Sequence, residues 1–289
     1  MKEKAVTFGQ DNHLVGIVGI PDEAVSHPHK PTILFLNAGL LHRVGPYRMS
    51  VDLARSLSSE GWLTMRFDLS GIGDSQFSRE IAEYREIVKS DIRAAMDFIR
   101  DRYKSNSFVL IGLCSGASNA QMVAFADERI VGAVMMDGFA FRTARFYGQV
   151  LKKYLAQPGT AFSTFKVILM DQCRRIFHGK GKSTRRPSMF ANIMPSRKTL
   201  AQEFRVMAEQ RVAMLCIYSG GIPHYYKYAG QFFDMFRNVD FRGTLQLEYF
   251  PEADHTYTSV SERKKLIACI QQWINNVHGA GGFRRNRIG

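Results

Sequence analysis

The stretch "VLIGLCSGASNA" at 109–120 restricts the fold more than any other in the 289-residue chain. Its first half is continuously apolar, as in a strand buried on both faces, and buried strands of this kind belong to parallel sheets covered by helices. Its second half is a helix of small residues that starts at once after a sharp turn. Gly112 and Gly116 flank that turn, and only glycines let backbone segments approach this closely around a strained residue. Two nucleophiles stand side by side in the turn, Cys114 and Ser115.

The remaining elements agree with such a sheet. Residues 4–21 read as two strands around an Asp-Asn turn, and "PTILFLNAG" and "WLTMRFDLSG" as further strands. Val88, Ile92, Ala95, Met96 and Ile99 recur at helical spacing. "IVGAVMMDGF", "VAMLCIYSGG" and "TLQLEYF" read as later strands, and "YAGQFFDMFRNV" as a helix between the last two. Ser259 and Glu262 have capping-box spacing before a final amphipathic helix. Strands alternating with helices predict an α/β architecture with a mostly parallel sheet. Regularity fails between residues 140 and 211. Residues 1–139 and 212–289 are therefore read as the core, and 140–211 as a basic helical cap or lid inserted at one edge. Within it, 146–156 and 162–177 read as amphipathic helices and 178–188 as an exposed loop.

Charge is concentrated in that block. The net charge is +13, and fifteen Lys or Arg lie between Arg142 and Arg211 against three acidic residues, Asp171, Glu203 and Glu209. Such charge reads either as a solvated surface or as one that meets an anionic partner. The block has neither zinc-ligand spacing nor a helix-turn-helix pattern, so nucleic acid is not expected. No run of about 18 apolar residues is present, so no membrane span is expected. Cysteines at 114, 173, 216 and 269 show no metal-type pairing, and a reducing, cytoplasmic setting is expected. Neither a metal site nor a cofactor motif is read.

Gly112-Leu113-Cys114-Ser115-Gly116 has the small-x-nucleophile-x-small spacing of a nucleophile elbow between a strand and a helix. Centring the motif on Ser115 would put Leu113 at a position that needs a small residue. Cys114 is therefore the candidate nucleophile. With "NAGLLHRVGPYR", "RFDLSGIGDS" and "ADHTYT", the segment "GLCSGA" makes the chain resemble the α/β-hydrolase superfamily over nearly its whole length. Within it, the resemblance is to a bacterial branch of serine-aminopeptidase-like hydrolases and hydrolases associated with biosynthetic clusters. It implies an α/β-hydrolase fold and two oxyanion donors: the backbone N–H of Ser115, and that of Gly39 or of its neighbour Leu40. It also implies a basic histidine after the last strand, where His255 stands among eight histidines. The usual acid position after "VAMLCIYSGG" holds no carboxylate. Asp137, one strand earlier, is the candidate that could reach the far imidazole nitrogen. Arg43 and Arg48 are candidate ligands for a substrate carboxylate or phosphate, with a solvated helix entry as the other reading.

These residues predict acyl transfer through an acyl-Cys intermediate, with a small ester, thioester or lactone as substrate. The acyl group could arrive on an acidic carrier protein and pass to water, or to an alcohol or amine in an acyltransferase or cyclase. A non-catalytic binder that has lost the acid is the third reading. The composition also allows a homodimer.

Overall fold

The computed structural model describes residues 1–22, 30–77, 83–156 and 194–283. Eight strands form one sheet in the order β1-β2-β4-β3-β5-β6-β7-β8. They are β1 (Lys2–Phe8), β2 (Leu14–Ile20), β3 (Thr32–Phe35), β4 (Thr64–Phe67), β5 (Phe108–Leu113), β6 (Ile130–Met136), β7 (Ala213–Ser219) and β8 (Leu245–Phe250). β2 runs antiparallel to both β1 and β4, and every pair from β4 across to β8 is parallel. The first hairpin turns through Asp11 and Asn12 at φ 52° and 56°, a left-handed conformation that short polar side chains tolerate.

Helices cover both faces. One face packs against α1 (Met49–Ser59) and the C-terminal helix α7 (Val260–Gly279). The other packs against α2 (Tyr84–Tyr103), α3 (Ser115–Ala126) and α5 (Arg197–Glu209). Side chains alternate across a strand. Val109, Ile111 and Leu113 of β5 accordingly face the first set, and Phe108 and Leu110 the second. The continuous apolar run is the consequence of two dry faces.

Within the block read as a cap, α4 (Ala144–Ala156) follows β6. Residues 157–193 lie outside the described residues, and with them the helix read at 162–177, the loop at 178–188 and Cys173. The cap boundary at 211 divides the fold differently from the packing. α5 lays Leu200, Phe204, Met207 and Ala208 on the sheet, so from Arg197 onward the chain packs with the core. Ser196 caps it by accepting from the Thr199 N–H at 3.0 Å. The helix read at 228–239 is shorter than expected, since only Gln231–Met235 (α6) is helical. Ser259 does stand at the N-cap of α7, yet its hydroxyl bonds Ser261 at 2.9 Å, so the capping box does not close.

Parallel register aligns the strand ends. Leu113 lies opposite Met136, Met136 opposite Ile217, and Ser219 opposite Phe250. Cys114, Asp137 and the loop carrying His255 thus leave the sheet along one edge, at the carboxyl ends where open α/β sheets bind ligands.

Candidate active site

The elbow is strained where its chemistry would lie. Cys114 has φ 58° and ψ −116°, outside the regions an L-residue prefers, and such a conformation costs about 1–3 kcal/mol. The flanking glycines permit it. A Cβ on Gly112 would stand 2.2 Å from the Gly116 carbonyl carbon, and one on Gly116 would stand 2.6 Å from the Asn37 carbonyl oxygen. The turn is pinned by the Cys114 N–H donating to Met136 O at 2.9 Å. The thiol is consequently exposed at the first turn of α3, where the helix dipole favours a thiolate.

Asp137 leaves β6 at φ 46° with its side chain fully buried. Three donors satisfy the carboxylate. The Ser219 N–H reaches Oδ1 at 2.7 Å, the Ser219 hydroxyl reaches Oδ2 at 2.6 Å, and His255 Nδ1 lies 2.8 Å from Oδ2. A buried carboxylate held in this way orients the imidazole and leaves Nε2 for the thiol. Gly220 and Gly221 let the histidine loop come close, since a Cβ on Gly221 would stand 2.0 Å from His255 N. Asp254 points away from the pair and ties the loop, accepting from the Thr256 N–H at 2.8 Å and the Thr258 N–H at 3.1 Å.

The electrostatics favour an ion pair. Hydrogen bonding to His255 holds the Cys114 thiol below its ordinary value, against the opposing effect of burial. Hydrogen bonds to Asp137 and then to Cys114 push His255 up to about 10. Both shifts favour the thiolate–imidazolium pair over the neutral one. The other described cysteines differ: burial pushes Cys216 well up and Cys269 up to about 11, so both stay protonated.

The structure therefore brings Cys114, His255 and Asp137 together. Ser115 and Gly39 also meet, with the Gly39 N–H donating to the Ser115 hydroxyl at 2.7 Å. Leu40 projects outward, 67% exposed. The two arginines sit differently. The Arg43 guanidinium pairs with Asp68 and with Asp74, the latter at 2.7 Å, and its backbone N–H donates to Asp68. Its charge is neutralised in tying loops together. Arg48 stands exposed at the head of α1, and among the described residues no contact links it to the triad. Sequence reasoning missed Ser219, which occupies the position where an acid is usual and instead clamps the acid from the neighbouring strand. Among the described residues, no group of three or more His, Cys, Asp or Glu is arranged to hold a metal ion.

The chain has the α/β-hydrolase fold. The family model described as alpha/beta hydrolase fold matches residues 31–170. Solved structures with this fold superpose over nearly the whole chain. An α/β serine hydrolase without a lid from Xanthomonas campestris is 15% identical, covers 96% of this chain and 95% of its own, and has a TM-score of 0.56. An esterase from Pyrococcus furiosus is 14% identical, with 95% and 91% covered and a TM-score of 0.59. A proline iminopeptidase from Mycobacterium smegmatis is 14% identical, with 97% and 100% covered and a TM-score of 0.57. By sequence, no curated protein matches the chain. Among the described residues of this α/β-hydrolase fold, no helix is long and apolar enough to cross a membrane.

Proposed function

We propose that the protein is a cysteine-dependent acyl-transfer hydrolase. The observation that carries this reading is the 2.8 Å Asp137–His255 hydrogen bond beside a strained, exposed elbow whose thiol His255 holds below its ordinary value. The Cys114 thiolate adds to the carbonyl carbon of an ester, thioester or lactone, and the carbonyl oxygen becomes an oxyanion. Collapse expels the leaving group, which takes the proton from the His255 imidazolium. An acyl-Cys114 thioester remains. Neutral His255 then takes a proton from water as the water attacks that thioester. The second tetrahedral intermediate expels the thiolate, and the ion pair is restored.

Water is the favoured acceptor, because the esterase and the iminopeptidase that share the fold carry names of hydrolytic enzymes. The binder reading loses its support, since it leaned on a missing acid and Asp137 supplies a carboxylate in contact with His255. The net charge of +13 favours an anionic substrate or an acidic carrier protein as the acyl source. Pre-steady-state hydrolysis of p-nitrophenyl butyrate tests the reading. A burst of up to one p-nitrophenolate per chain is expected where hydrolysis of the acyl-Cys114 thioester is slower than its formation. A linear trace with no turnover of esters, thioesters or lactones would contradict the reading.

The charge state predicts the pH profile. Activity should fall as pH drops through the lowered thiol value, where the thiolate is protonated. It should fall again as pH rises through about 10, where the His255 imidazolium loses the proton it gives to the leaving group. Asp137→Asn removes the main cause of the histidine's upward shift. The alkaline limb should move to lower pH, and kcat should drop by more than about tenfold. Circular dichroism would verify that the variant is folded. A variant with the wild-type profile would mean that Asp137 does not orient the base.

A further inference from the structure

In addition to its backbone N–H, half-buried Ser115 carries a hydroxyl next to the elbow. It lies 2.7 Å from the Gly39 nitrogen, at the end of a bond exposed to solvent. An oxyanion held by Gly39 would need to sit about 2.7–3.1 Å from the same nitrogen. That place is occupied by Ser115 Oγ, and an amide N–H has one hydrogen to give. The hydroxyl, however, has one proton and two lone pairs. One lone pair accepts from Gly39. Among the described residues no acceptor takes the hydroxyl proton, so it remains available to a ligand. There is also room beside it. Gly39 adopts φ 57°, and a Cβ built on it meets nothing within 4 Å.

We infer that the Ser115 hydroxyl is itself an oxyanion donor, polarised by the Gly39 N–H behind it. The inference rests on the proposed acyl transfer at Cys114. The line runs from Gly39 N–H to Ser115 Oγ and from the Oγ–H to the oxyanion. Each bond in such a chain strengthens the next in a site of low dielectric. Gly39 thus acts through Ser115, and Ser115 gives two donors, its N–H and its O–H. No heavy-atom bond forms or breaks at the serine, and its proton stays on Oγ throughout.

The test compares Ser115→Ala and Ser115→Thr with wild type in kcat and KM for p-nitrophenyl butyrate. Circular dichroism verifies that the alanine variant is folded, since the substitution removes the hydrogen bond that the Ser115 side chain accepts from Gly39. Loss of the hydroxyl leaves Gly39 one hydrogen bond too far from the oxyanion. Removing a single oxyanion donor costs about 10²–10³ in kcat in a known case. A fall in kcat of at least about tenfold is expected in Ser115→Ala, with KM nearly unchanged. Threonine, which keeps the hydroxyl, should restore most of kcat. Alkylation of Cys114 by iodoacetamide passes through no oxyanion, so its rate should match wild type in both variants. A Ser115→Ala enzyme with unchanged or raised kcat would overturn the inference and leave acyl transfer standing, because the hydroxyl would then be a placeholder that rotates away. A fall in kcat matched by an equal fall in alkylation would also overturn it, by placing the effect on the thiolate. A wild-type protein that forms no acyl-Cys114 would remove the proposed function and this inference with it.

Discussion

Cys114→Ala should reduce ester and thioester turnover to the uncatalysed background, a loss of about 10⁴-fold or more. Nothing else in the described site can replace the thiolate. The two other described cysteines are held protonated by burial, and the Ser115 hydroxyl oxygen is engaged by the Gly39 N–H. The variant should remain folded, because the methyl group of alanine replaces an exposed thiol at an unchanged backbone. Steady-state kinetics over a panel of acyl donors reads this directly. Residual turnover within tenfold of wild type would move the chemistry away from the elbow.

The second large effect is on the fold itself. Gly112→Ala should destabilise the protein by about 3 kcal/mol and abolish acylation. The added Cβ would stand 2.2 Å from both the carbonyl carbon and oxygen of Gly116 and 2.7 Å from the Ala117 nitrogen. These are backbone atoms of α3, which cannot turn aside as a flexible side chain can, and overpacking of this kind typically costs about 1–3 kcal/mol or more. Relief would require α3 to move off the strand, carrying Cys114 away from His255. Gly148→Ala in α4 is the control. A Cβ there meets nothing within 4 Å, so helix propensity should make it neutral or stabilising by up to about 1 kcal/mol. Thermal unfolding of the two variants beside wild type measures the contrast. Equal melting temperatures would show that the elbow is not held by this contact.

The elbow was legible in the sequence because strand, turn and helix are contiguous, so one short window carries both the geometry and the nucleophile. Asp137 and His255 are 118 residues apart, but each follows a recognisable strand, and parallel register brings strand ends together. Contacts made by uncharged serines to groups distant in sequence left no such signal. The Ser219 clamp on Asp137 spans 82 residues, and the Ser115–Gly39 bond spans 76. A serine offers neither charge nor periodicity to mark it. The ion pairs of Arg43 were hidden for a related reason. Its partner Asp68 lies 25 residues away on another loop, so the arginine reads as a free cation until the fold pairs it. α5 was concealed by its composition. Arg197, Lys198 and Arg205 blend with the basic run before it, and the spacing of Leu200, Phe204 and Met207 was the available signal.

Mass spectrometry of the acylated protein tests the central claim most directly. The wild-type chain is mixed with a short-chain acyl thioester, quenched in acid within the burst, and mapped by peptide. The account predicts one acyl group per chain on the peptide containing Cys114, absent from Cys114→Ala and removed on further incubation in water. An adduct on any other residue, or turnover of the thioester with no adduct at Cys114, would contradict it.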